Sequence, residues 1–225
     1  MRSFILALLL APLAAAAQAP ETPFNLVSLS AQAEREIPND LLTATLAAEA
    51  EGADPAQLAD GVNRSMQSAI AGALAYKTVK TQSAGYQSMP VYDKNRVVRW
   101  RVRQELRLES ADFTAATELI GKLQASLVVT GLTLSVSGET RRKAENALIA
   151  EALAAFEERA RVVRDAMKAK GYRVRDLQIS PGGAPPRPVF AIAARAMSSA
   201  PLAQPAVEPG STRILITVSG TIQLQ

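Results

Sequence analysis

The chain has 225 residues, a formal charge of +4, 48% apolar but only 4% aromatic side chains, and neither cysteine nor histidine. Lacking both residue types, it has no disulfides, no thiol or imidazole metal ligands and no Ser-His or Cys-His dyad, so no cofactor is implied and a metal would rest on oxygen ligands alone. So small an excess of cations does not mark a nucleic-acid binder.

The chain opens like an export leader. Arg2 gives a positive n-region, Phe4 to Leu10 begin an apolar run, and small residues at Ala15-Ala16-Ala17 and Ala17-Gln18-Ala19 suit a signal peptidase. Cleavage after Ala17 is preferred, because the later cut puts Pro20 directly behind the scissile bond. The predicted organisation is a leader within residues 1–19 and one domain over 20–225.

Residues 24–37 alternate as a strand, with Val27, Leu29, Ala31 and Ala33 on one side. After the turn signal Pro38-Asn39-Asp40, Leu42, Ala44, Leu46, Ala48 and Ala50 alternate again, and the two runs predict an antiparallel pair. Asp54-Pro55-Ala56-Gln57 reads as a helix start, followed by the stripe Leu58, Val62, Met66, Ala69 and Ala73. Val79 to Tyr92, interrupted by Gly85 and Pro90, reads as a bent edge strand.

Val98 to Leu108 is the clearest strand. Val98, Trp100, Val102, Leu106 and Leu108 share one face, and Arg99, Arg101, Arg103, Glu105 and Arg107 the other. Ser110 is placed to cap a short helix carrying Phe113, Ala116, Ile120 and Leu123, and Leu132, Leu134 and Val136 mark a further strand. A long helix is expected over Arg141 to Lys170, apolar nearly all round from Ala147 to Phe156, with Gly171 as its left-handed cap. Val174 to Ile179 is a short strand. Residues 181–210 hold seven prolines and three glycines and read as a long loop before a last, inner strand with Ile214, Ile216, Val218, Ile222 and Leu224 on one face. Together these patterns predict an α+β fold: a mixed, mainly antiparallel sheet with three helices on one face, one of them long.

No P-loop, G-x-G-x-x-G, S-x-x-K or D-x-D-x-D-G motif occurs, and no catalytic residue is assigned. Carboxylate hydrolysis through Glu34, Glu36, Asp40, Glu49 or Glu51 ranks last, since such sites usually add aromatic platforms that this chain lacks. The one constellation with a binding chemistry is the ladder Arg99, Arg101, Arg103 and Arg107, spaced to meet phosphates or carboxylates of an anionic lipid or envelope polymer. The plainer reading is a wet sheet face whose arginines pair across strands with Glu49, Glu51 or Glu105.

Taken in order, the segments resemble the SIMPL-domain (DUF541) family of exported bacterial envelope proteins. The resemblance rests on Ile37-Pro38-Asn39-Asp40, on Val79-Lys80-Thr81 through Met89-Pro90-Val91-Tyr92, on Val98-Arg99-Trp100-Arg101-Val102, and on the long helix. It continues through Ala194-Arg195-Ala196-Met197 to Glu208-Pro209-Gly210. It implies an α+β fold, a periplasmic or outer-membrane-associated location, ring-like homo-oligomers in some members, and a link to oxidative-stress defence. It implies no defined reaction, and with no Cys or His a stress role here would not be thiol or haem chemistry.

Overall fold

The computed structural model describes residues 24–182 and 207–225. The expected leader, and residues 183–206 of the expected loop, lie outside the described residues. Ten elements follow in order: β1 (Leu26–Pro38), β2 (Leu41–Gly52), α1 (Pro55–Ala73), β3 (Lys80–Asp93), β4 (Arg96–Ser110), α2 (Phe113–Leu123), β5 (Val128–Ser135), α3 (Gly138–Ala166), β6 (Tyr172–Gly182) and β7 (Ser211–Leu224). The fold is α+β with antiparallel pairing between neighbouring strands, three helices, and α3 the longest at 29 residues.

The strands divide between two sheets, ordered β1-β7-β6 and β3-β4-β2-β5, and the helices divide with them. Leu42, Leu46, Val102, Leu106 and Leu108 form one core under α1 and α2, which contribute Val62, Met66, Leu119 and Ile120. Ile214, Ile216, Val218 and Ile222 form a second core under α3, closed by Ala144, Leu148, Ala152, Phe156 and Ala160. Those five α3 residues recur every fourth position, so α3 buries one stripe. The expectation of burial on several sides is corrected: Ala147, Ala150 and Ala154 face solvent.

The expected β1–β2 hairpin does not form. β1 pairs with β7 from Leu26 to Pro38, while β2 pairs with β4 and β5. Tight hairpin turns need positive φ, and none of Pro38, Asn39 or Asp40 has it, proline being confined to negative φ. Their polar groups serve a crossing between the layers instead. Asp40 N–H donates to the Ser135 carbonyl at 3.1 Å, closing β2 onto the end of β5. The Asp40 carboxylate accepts from the Ser137 N–H, from the Ser137 hydroxyl at 2.9 Å and from the Thr140 hydroxyl. Ser137 in turn caps α3 by accepting from Thr140 N–H. Asn39 holds the lead-in to β7: its N–H donates to Gly210 O at 3.1 Å, its amide to Pro209 O at 2.7 Å, and its side-chain oxygen accepts from Thr212 at 2.6 Å.

Two helix ends also differ from expectation. Asp112, not Ser110, caps α2, accepting from Ala115 N–H at 3.0 Å; Ser110 is buried and ties Asp112 N–H to the Thr78 carbonyl. Lys168 (φ 54°), not Gly171, takes the left-handed position after α3. Gly220 is required by close approach, because a Cβ there would strike the Asp176 carbonyl beside the β6 bulge.

Burial pushes the Asp40 carboxyl upward, but the hydrogen bonds from Thr140 and Ser137 outweigh it and hold it below the ordinary carboxylate value. A depressed folded-state value gives stability that is complete above the unfolded value of about 3.9 and is lost as pH falls from there through the folded value. Asp40→Asn should lower unfolding free energy by about 1–3 kcal/mol at neutral pH, because the donors keep one acceptor and lose its charge. In urea titrations from neutral to acid pH, the gap between parent and variant should narrow below about pH 4. A gap that stays constant would mean the charge is not what holds the junction.

Candidate functional site

The ladder residues stand where alternation put them. β4 lies between β3 and β2, and its odd-numbered side chains form the face away from α1 and α2. Antiparallel register sets Arg103 opposite Glu49 and Arg101 opposite Glu51. Arg103 reaches Glu49 at 3.1 Å and Glu105 at 2.8 Å; Arg101 reaches Glu49 at 3.3 Å and also binds Glu51; Arg99 lies 3.7 Å from Glu51; Arg107 reaches Glu109 at 2.7 Å. Four guanidinium groups therefore meet four carboxylates. The Glu105 hydrogen bond raises the Arg103 pKa above the ordinary guanidinium value; partial burial opposes this and Glu49 adds to it.

Chemically, this face is a charge-compensated network. An anion arriving here would compete with carboxylates already in place, in a half-exposed setting where each pair contributes about 0.2–1 kcal/mol. Sequence reasoning named Glu49, Glu51 and Glu105 but not Glu109, which the same two-residue alternation places on this face. Trp100 is half-buried on the opposite face.

The five carboxylates considered for hydrolysis do not converge. Glu34 and Glu36 lie on β1 beside Arg213 at 3.9 and 3.5 Å, Asp40 is spent on the α3 cap, and Glu49 and Glu51 belong to the ladder. Among the described residues no group of three or more Asp, Glu, His or Cys is placed to hold a metal ion, and no helix is long and apolar enough to cross a membrane. A cavity of about 260 Å³ opens beside the end of α1, between Ile70, Leu74, Tyr76 and Thr81. It falls below the roughly 300–1,000 Å³ of ligand pockets.

Two apolar surfaces escaped the sequence reading. Val174, Leu177 and Ile179 of β6 share the core side of their sheet with Ile222, Gly220 and Val218, yet are 47, 40 and 41% exposed. α3 lies over β1 and β7 and barely touches β6. The second surface is the end of the β3–β4 ribbon, where Met89, Tyr92, Val97 and Val98 are exposed. A strand's alternation reports which residues share a face, not whether a helix covers that face.

Residues 27–222 match the family SIMPL, described as "Protein of unknown function (DUF541)". No match was found among curated proteins. One similar solved structure is "The crystal structure of AtUAH in complex with glyoxylate", 10% identical with a TM-score of 0.27, covering 56% of this chain and 34% of that one. This chain thus spans about a third of that protein's length, and a likeness at that level carries no argument.

Arg101→Gln should lower the unfolding free energy by about 0.5–1 kcal/mol, since Glu49 and Glu51 both lose a partner. Urea titration at low and high salt checks this, and the deficit should shrink as salt screens the pairs. A deficit indifferent to salt would show that packing of the arginine stem, not charge, sustains the ladder.

Proposed function

The chain belongs to the SIMPL family, and from that premise we propose that it is a non-catalytic, exported envelope protein that self-assembles and supports oxidative or envelope stress tolerance. The observation that carries this reading is the core-side face of β6, where Val174, Leu177 and Ile179 stay 40–47% exposed among the described residues. β6 is an edge strand of its sheet, so one row of its N–H and C=O groups lacks a strand partner among the described residues. Backbone groups and apolar side chains open on the same edge favour pairing with another strand. A two-fold contact between two β6 edges would join two three-stranded sheets and place Leu177 and Ile179 of both copies in one apolar seam. The chain also has no disulfide with which to reinforce itself outside the cytoplasm, and assembly supplies burial in its place.

A contribution to stress tolerance would not be thiol or haem chemistry, because neither cysteine nor histidine is present. The expected location is the periplasm, with outer-membrane association as the finer version of the proposal. The alternative, an anionic envelope component held on the arginine strand, requires that component to displace Glu49, Glu51, Glu105 and Glu109.

Light scattering on residues 18–225, which contain every described element, tests the reading. The parent should run as a multiple of the monomer mass, and Leu177→Glu with Ile179→Glu should reduce it to monomer with an unchanged circular-dichroism spectrum. In a strain lacking the gene, the dissociated variant should restore peroxide survival less well than the parent. A monomeric parent, or a variant of unchanged mass, would overturn the assembly claim. Full rescue by the monomer would separate stress tolerance from assembly.

A further inference from the structure

The β3–β4 ribbon outruns its sheet. β2 ends opposite Trp100, so residues 91–99 are paired only with each other among the described residues, as a two-stranded arm closed by a two-residue turn at Lys94-Asn95. Ribbons of this kind are marginal in water unless something packs on them. This one is apolar on one side: Pro90, Tyr92, Val97 and Trp100 share that side, while Val91 shares the arginine face with Asp93, Arg96 and Arg99. Tyr92 is 63% exposed and Val97 and Val98 are each 47% exposed. In a chain with one tryptophan and four tyrosines, Trp100 and two tyrosines, Tyr86 and Tyr92, are on this ribbon.

The tip adds cations. Lys94 (φ 45°) and Asn95 (φ 67°) both adopt left-handed backbone, where glycine, asparagine and aspartate are preferred, and Arg96 follows. A lysine thus stands at a position whose backbone geometry favours glycine, asparagine or aspartate. Across the ribbon, Asp93 is the one acid among residues 86–100, against Lys94, Arg96 and Arg99.

We infer that this arm docks the protein on an anionic phospholipid surface, with Tyr92, Val97 and Val98 in the headgroup layer and Lys94 and Arg96 on the phosphates. Exposed apolar and aromatic side chains on one face of a projecting arm, with cations at its tip, suit an element seated at an anionic bilayer interface. A second copy of the arm would bring like charges together. The inference is independent of β6: it concerns the other sheet and needs no assembly.

The test uses residues 18–225 and vesicles of phosphatidylcholine with an equal part of phosphatidylglycerol, against phosphatidylcholine alone. Sedimentation should recover the protein with the anionic vesicles only, and binding should fall as salt rises. Trp100, the single tryptophan, reports from the base of the arm, and its emission should shift to the blue on binding. Lys94→Asn with Arg96→Gln should weaken binding roughly 30-fold, since each cation near such a surface contributes about 1 kcal/mol. Asparagine suits the left-handed turn, so this variant should keep its thermal midpoint. Tyr92→Ser with Val98→Ser should abolish the blue shift. Repeating the charge variant on the Leu177→Glu, Ile179→Glu background should give the same loss, which separates docking from assembly. No binding by the parent, or binding that either arm variant leaves intact, would overturn the inference. Loss of self-association in the arm variants without vesicle binding would assign the arm to a second copy and overturn it equally.

Discussion

Asn39 and Asp40 are the point on which the two layers depend. Among the described residues the chain passes between the sheets twice, from β1 to β2 and from β5 to α3. Both passages, and the lead-in to β7, are tied to these two adjacent residues. Asp40 holds the end of β5 and the first turn of α3; Asn39 holds Pro209, Gly210 and Thr212. Hydrogen bonds to a charged acceptor contribute about 1.5–3 kcal/mol each, so a handful at one crossing is a large share of a domain's net stability. Neither layer is large by itself, and small layers bury a smaller fraction of their surface.

Electrostatics then divides the surface unequally. Over the body of the four-stranded sheet, arginine and glutamate cancel within a few ångströms. Past the end of β2 the one carboxylate among residues 91–99 is Asp93, while the cations continue through Arg99, Arg96 and Lys94. The separation comes from register: β2 supplies Glu49 and Glu51 and stops at Gly52, whereas β3 and β4 continue. A strand ending early leaves the arm both unsupported and basic.

Much of this was legible in the sequence, for reasons that also mark the limit. Alternation located β2, β4 and β7 and the faces they bury, because a sheet wet on one side imposes a period of two on its side chains. Asp54-Pro55 located the start of α1, because capping is local: Asp54 accepts from Ala56 and Gln57 N–H. The β1–β2 hairpin was misread because local pattern names faces, not partners, and the partners of Asp40 lie about a hundred residues away. Gly171 was read as the cap of α3 although Lys168 takes that conformation, since α3 ends four residues earlier than its pattern of charges suggests. Of the candidate site, the arginine face was legible and so was most of its neutralisation. The exposed apolar face of β6 among the described residues was not, because it follows from where α3 lies across the sheet.

Self-assembly as proposed requires that the β6 edge be covered by another copy of the chain in solution. Hydrogen–deuterium exchange across Tyr172–Gly182 at two protein concentrations, one dilute and one concentrated, addresses it directly. Edge amides paired to a second copy are protected, and that protection should grow with concentration while amides of the inner strand β7 stay unchanged. Exchange across β6 that is fast and identical at both concentrations would contradict it.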